Sequence, residues 1–215
     1  MPDWLRFPVV LAVIAAIAGA GLAFVQGATK EEITRNKARK LDAAFESVEG
    51  YKSNRELELS AEQKAVFGSE SRCFKLFGEG DTLIGCAAQV QCTDPQCYNN
   101  SDPIVVVVVL DAEMKKVKVV RTTANNETPG LGTQASDKNP TRSLASMAGA
   151  EPAPEPESEY KFLDQFAGLQ AGSLALKKEG GTLDAITGAT VSSKAVVGGV
   201  NKACSLIGQV LGKKD

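Results

Sequence analysis

The longest apolar stretch of the chain is residues 8–25, PVVLAVIAAIAGAGLAFV, eighteen residues without a charge. At 1.5 Å per residue a helix of this length spans about 27 Å, close to the hydrocarbon thickness of a bilayer. Ala18-Gly19-Ala20 also has the small-residue form that a signal peptidase accepts. The apolar run continues past it through Leu22, Phe24 and Val25, so a retained single span is the better account. Gly19 and Gly21 would let another membrane helix approach closely. Beyond the span, Thr29-Lys30-Glu31-Glu32 has capping-box form, and Ile33, Leu41, Ala44, Phe45 and Val48 follow at helical spacing. This predicts an amphipathic helix over 29–48, its charges forming a solvated face.

Residues 57–99 are polar and carry little periodicity. Within them Ser71 to Phe77 and Leu83 to Val90 read as strands joined by Gly78-Glu79-Gly80-Asp81. Ile104 to Leu110, IVVVVVL, is too short to span a membrane and reads as a buried central strand. Asp111 to Lys116 connects it to a hairpin partner, Val117 to Thr122. Residues 148–159, AGAEPAPEPESE, form an acidic, proline-rich surface insertion. Phe162, Phe166 and Leu169 share one face of a short helix, Ser173 to Lys177 reads as a further strand, and a C-terminal helix runs from Val191. Strands in hairpin order with helices at both ends predict an α+β fold with a mainly antiparallel sheet flanked by helices. The organisation is then a membrane anchor over 1–27, a connecting helix over 28–50 and one domain over 51–215.

Composition changes this picture in one respect. The 215 residues hold 24 Lys and Arg against 26 Asp and Glu, a net charge of −2, with no basic block to attract nucleic acid. More decisive is the count of zero histidines. It removes Ser-His-Asp and Cys-His catalysis and His-ligated zinc or haem. Redox or group-transfer chemistry must come from a bound cofactor, cysteines, hydroxyls or carboxylates. No residue is assigned a catalytic or metal-binding role.

Two short segments carry candidate chemistry. In Glu127-Thr128-Pro129-Gly130-Leu131-Gly132 the Pro-Gly pair marks a turn, and the glycines let backbone amides approach a ligand. Alone, this segment reads better as an ordinary turn. Asp184-Ala185-Ile186-Thr187-Gly188-Ala189-Thr190 opens the C-terminal helix, where unpaired amides and the helix dipole favour a phosphate. Plain N-capping by Thr or Ser accounts for it as well. The glycine-lysine spacing of nucleotide-triphosphate loops is absent.

The segment Asp184–Thr190, followed by Val191-Ser192-Ser193-Lys194, resembles the flavin-attachment motif of the covalent FMN-binding domain family. There the motif reads aspartate, two residues, Ser or Thr, Gly, Ala, Thr, with the final Thr esterified to the phosphate of FMN. The resemblance implies FMN held by a phosphoester to Thr190, with Asp184, Thr187, Gly188 and Ala189 shaping the attachment loop. Glu127–Gly132 resembles a second family motif, which implies Glu127, Thr128, Gly130, Leu131 and Gly132 beside the flavin. Phe162–Phe166 resembles the link between the two. Thr187 departs mildly, standing where serine is commoner; the acidic insertion and the cysteine group are unusual.

One span followed by these motifs in this order is similar to the G-subunit family of Rnf-type ion-translocating electron transport complexes. The related C-subunit family of sodium-pumping NADH:quinone oxidoreductases is usually longer. The likeness implies an electron-carrying flavoprotein subunit that couples ferredoxin:NAD electron transfer to movement of sodium ions or protons. It also implies other membrane subunits as partners and a flavin transferase, using FAD, for maturation. A standalone anchored FMN protein serving extracellular electron transfer, and a non-redox anchored binding protein, are the competing readings.

Two expectations remain. Cys73, Cys86, Cys92 and Cys97 cluster within 25 residues, which favours two disulfides with Cys204 free; a cluster ligand set and free thiols are the alternatives. Their spacing matches neither ferredoxin pattern. Sidedness sets two arguments against each other. Lys30, Arg35, Lys37, Arg39 and Lys40 follow the span, which by charge alone keeps the bulk of the chain in the cytoplasm. The resemblance implies a single-pass inner (plasma) membrane protein with its bulk on the periplasmic or extracellular side. The latter is adopted, since soluble domains cross despite flanking charge.

Overall fold

The computed structural model describes residues 3–68, 70–136 and 161–212; the acidic insertion at 148–159 lies outside them. The chain divides into two compact units, Met1–Arg39 and Lys40–Asp215. In the first unit, helix α1 (Asp3–Glu46) passes through the whole apolar stretch and continues into the second. It is long and apolar enough to cross a membrane, and none of its most apolar window is buried. The helix expected to start at Thr29 is instead its uninterrupted continuation. The Thr29 hydroxyl donates back to the Val25 carbonyl at 2.8 Å, the mid-helix alternative to capping. The amphipathic pattern holds only at the end of the run: Leu41, Ala44 and Phe45 are buried, whereas Ile33 is exposed.

The second unit is α+β, as expected. Five strands, β1 (Ser53–Leu57), β2 (Arg72–Phe77), β3 (Leu83–Gln91), β4 (Val105–Asp111) and β5 (Val117–Ala124), form one antiparallel meander in the order of the chain. A short helix α2 (Ala61–Phe67) follows β1, started by a full capping box in which Ser60 and Gln63 exchange bonds. The valine run of β4 is apolar at every position because both faces of the sheet are covered. Val107 and Val109 join Phe74, Leu76 and Ala87 against Leu41, Ala44, Phe45 and Val48. On the opposite face Val106, Val108 and Leu110 join the larger core with helix α3 (Thr190–Leu211). Each such buried valine or leucine contributes about 1.5–3 kcal/mol.

The expected strand at 173–177 is replaced by a single bridge between Leu176 and Leu183, with a 3-10 turn at Lys177–Glu179. The short helix expected near 162–169 is a 3-10 turn, Leu163–Phe166, packed over β5. The two expected disulfides are not formed: all five cysteines are free and buried. Cys73 and Cys86 sit on adjacent strands but not opposite one another, since Cys73 faces Ala88 and Cys86 faces Lys75. Burial pushes the Cys73 thiol up to about 12 and that of Cys204 to about 11, so both are protonated at neutral pH. They pack as small apolar side chains.

Close helix-sheet packing yields a first prediction. A Cβ at Gly199 would lie 2.3 Å from the Cys92 sulfur and 3.2 Å from Val106 Cγ2. Helix propensity alone favours Gly199→Ala by about 1 kcal/mol, but overpacking costs about 1–3 kcal/mol. Cys92 is wholly buried and has nowhere to move. The variant is therefore expected to melt below the wild type in a thermal unfolding scan.

Candidate functional site

The segments 125–136 and 184–193 meet at the start of α3. The first leaves β5 and turns back on itself. The Asn125 carboxamide accepts from the Glu127 amide at 3.0 Å and donates to the Gly132 carbonyl at 3.1 Å and the Ser136 hydroxyl at 2.9 Å. The Thr128 carbonyl accepts from the Leu131 and Thr133 amides, and the Gly130 amide donates to the Thr133 hydroxyl. Gly130 adopts φ +76°, the turn conformation that glycine reaches without strain. Gly132 is buried against Glu127 and Ser192: a Cβ there would stand 2.5 Å from Glu127 Cβ and 2.8 Å from Ser192 Oγ.

The second segment is pinned at both ends. The Asp184 amide donates to the Gln165 side chain at 2.8 Å, and that side chain donates back to the Asp184 carbonyl at 3.3 Å. The exposed Asp184 carboxylate pairs with Lys177 at 2.7 Å. At the other end the Ser193 hydroxyl accepts from the Ile186 amide and donates to the Ala189 carbonyl, both at 2.9 Å. Between them Gly188 turns the chain at φ +78°, with its missing Cβ position 3.2 Å from Leu131 Cδ2. Leu131 thus lies over the turn that precedes the helix.

Helix α3 starts without a side-chain cap, because Ala189 occupies the capping position, and its first turn holds no acidic residue. The Ser193 amide makes the first bond to the Ala189 carbonyl. The amides of Thr190, Val191 and Ser192 precede it, and with the helix dipole they form a donor set suited to an anion. Among the hydroxyls here, Ser192 donates to Glu127 Oε2 at 2.7 Å and Ser193 is bonded as above; both are buried. Thr190 is half-buried at the first helical position, and among the described residues no hydrogen bond engages its hydroxyl. Leu131 and Val191 expose apolar side chains beside it. An accessible hydroxyl, three amides that find no partner among the described residues and flanking apolar surface fit a phosphate ester carrying a planar aromatic group.

Of the residues singled out in the sequence, Thr187, Gly188, Ala189 and Thr190 line the helix start, with Leu131 and Gly132 beside them. Thr128 and Gly130 shape the facing turn from its outer side. Asp184 is further out, in the Gln165 clasp. Glu127 is 5% exposed and faces inward, with Asn99 donating its amide to Oε1 at 2.9 Å. Asn99 and Asn125 complete the site without having stood out, while Gln165 and Ser192 lie in the segments singled out but carried no role of their own. Asn125 left a local trace, as an Asx-type residue ahead of a Pro-Gly turn.

Comparison with known proteins covers both segments. The FMN-binding domain family matches residues 100–205. Over 200 residues the chain is 30% identical to the G subunit of the ion-translocating oxidoreductase complex of Cronobacter sakazakii, a match that covers 91% of this chain and 86% of that protein. The chain belongs to this G-subunit family. The G subunit of Buchnera aphidicola subsp. Baizongia pistaciae is 32% identical over 111 residues, 52% of this chain, and that of Shewanella loihica 35% over 117 residues, 54% of this chain. Against these two, the chain spans a little under half of the relative's length, 44% and 46%. Within the G-subunit family this chain retains a domain that folds around an uncapped helix start, with one apolar helix ahead of it.

Proposed function

We propose that this chain is an electron-carrying flavoprotein subunit of a membrane complex that couples ferredoxin:NAD electron transfer to ion translocation, with FMN esterified through its phosphate to Thr190. Membership of the G-subunit family supports the electron-transport role, and the FMN-binding domain match supports the cofactor. The observation that carries the attachment site is the unengaged Thr190 hydroxyl at an uncapped helix start. Bound FMN supplies one- and two-electron redox chemistry. The residues of the chain bind and orient it. The first amides of α3 hold the phosphate oxygens, Gly188 leaves room for their approach, and Leu131 and Val191 offer apolar surface to the ring. Thr190 is an attachment point, not a turnover nucleophile. A flavin transferase forms the Thr190 Oγ–phosphorus bond, breaks the pyrophosphate bond of FAD, releases AMP and removes the hydroxyl proton.

The test is the intact mass and visible absorption of the native chain. A flavin spectrum that survives denaturation, with one FMN adduct in the tryptic peptide 179–194, is the expected result. An unmodified peptide refutes the attachment at Thr190. Copurification of other membrane subunits separates a complex member from a standalone flavoprotein.

The bulk of the chain is placed on the periplasmic or extracellular side. Because all five cysteines are buried, a membrane-impermeant lysine reagent is the better probe. On intact cells, with any outer membrane permeabilised, Lys115, Lys118 and Lys202 are expected to label. Labelling confined to broken cells would show that the five basic residues after the span hold the domain in the cytoplasm.

A further inference from the structure

We infer that Glu127 is a positioning residue for the attachment helix and does not contact the flavin. Its carboxyl group joins three parts of the chain. Oε2 accepts from the Ser192 hydroxyl at 2.7 Å, in the first turn of α3. Oε1 accepts from the Asn99 amide at 2.9 Å, in the loop between β3 and β4. The Glu127 amide is held by Asn125 at the root of the 125–136 turn. Gly132 packs against the same side chain so closely that any Cβ would strike it. With 5% exposure, one accepted bond on each oxygen and Gly132 packed against it, the Glu127 side chain is turned toward the chain's own groups and not toward open space. What it controls is where the first turn of α3 stands, and Thr190 lies two residues from Ser192 on that turn.

The clamp is a matter of hydrogen-bond geometry, which separates it from a role as general base toward Thr190. In Glu127→Gln the carbonyl oxygen still accepts from Asn99, and the new NH2 donates to Ser192, whose hydroxyl reverses to accept. The clamp survives, whereas a base would be lost. In Glu127→Ala and Ser192→Ala it is broken from either side.

The kinetic readout rests on the proposed attachment at Thr190. Full-length chain made without a flavin transferase is incubated in detergent with the transferase and FAD, and adduct formation is followed by intact mass. Glu127→Ala and Ser192→Ala are each expected to slow the reaction by roughly 10- to 100-fold through kcat, with KM for FAD unchanged, as small displacements of a reacting group do. The double variant is no slower than Glu127→Ala, which already removes the bond to Ser192 along with that to Asn99. Glu127→Gln stays within about threefold of wild type, since the geometry is kept. Wild-type rates in both alanine variants overturn the inference. So does a Glu127→Gln rate as slow as Glu127→Ala, which would assign the effect to charge. Amide hydrogen exchange gives an arm that needs no flavin: residues 193–196, the first bonded amides of α3, exchange faster in Ser192→Ala than in wild type. If wild-type chain takes up no FMN, the attachment reading fails, and this exchange difference alone upholds or overturns the clamp. Ser192→Ala removes one hydroxyl and keeps the arm available should Glu127→Ala fail to fold.

Discussion

Thr190→Val is expected to yield a folded, membrane-bound chain that carries no covalent flavin. The two side chains have the same branched shape, so the helix start is preserved while the one atom able to form the ester is removed. Thr190 is half-buried at the first helical position. With the branched shape kept and no hydrogen bond of the hydroxyl lost among the described residues, the fold is expected to survive, and a thermal unfolding scan of Thr190→Val checks it. Neighbouring hydroxyls offer no substitute. Ser193 has no exposed surface and bridges the Ile186 amide to the Ala189 carbonyl. Ser192 is buried against Glu127. Thr187 is the accessible competitor, but it precedes Gly188 and lies ahead of the helix, whose first residue is Thr190. Tryptic mapping of 179–194 should show FMN on Thr190 in wild type, on the introduced serine in Thr190→Ser, and on no residue in Thr190→Val. An adduct that moves to Thr187 would show that the attachment machinery reads the loop and not the helix start.

The elements that were legible in the sequence are those whose burial leaves a periodic trace. The strands β2 to β5 lie within one or two residues of their apolar runs, because a sheet covered on both faces admits no polar interruption at β4. Strand β1 left no such trace. Ser53–Leu57 lies at the sheet edge with its first four residues exposed, so polar and charged side chains suffice. Helix α2 has a capping box that is readable in Ser60 and Gln63, but its seven residues are too few for helical periodicity. Thr29-x-x-Glu32 misled for the opposite reason. It matches the pattern, but a helix already running through 3–28 needs no start there. The cysteine cluster misled because closeness along the chain is not pairing: register sets Cys73 and Cys86 opposite other residues. At the site, the Pro-Gly turn segment and the small-residue, hydroxyl-rich segment are visible as local composition. The Glu127 clamp is not, since its partner Ser192 lies 65 residues further on and only the fold brings them together.

Gly188→Val is expected to lower the rate of FMN attachment by at least about tenfold, for reasons of both backbone strain and approach. At φ +78° the residue occupies the left-handed region, which costs an ordinary L-residue about 1–2 kcal/mol, and a β-branched side chain fares worse still. The turn cannot relax by changing φ alone. It is closed by the Ala189 amide on the Ile186 carbonyl at 3.0 Å and by Ser193 behind it. Sterically, a first carbon at this position meets Leu131 Cδ2 at 3.2 Å. Leu131 is 43% exposed and can yield to one methyl, so Gly188→Ala isolates the backbone strain. The two further methyls of valine then fill the space over the helix amides, where a phosphate would come in. The ordering wild type, then alanine, then valine should appear in the time course of adduct formation by intact mass. Thermal midpoints of both variants should fall below wild type, that of Gly188→Val further, because its β-branched side chain adds to the φ penalty that both carry. Attachment in Gly188→Val at the wild-type rate would mean that the phosphate reaches Thr190 from another side, and that Leu131 does not border its path.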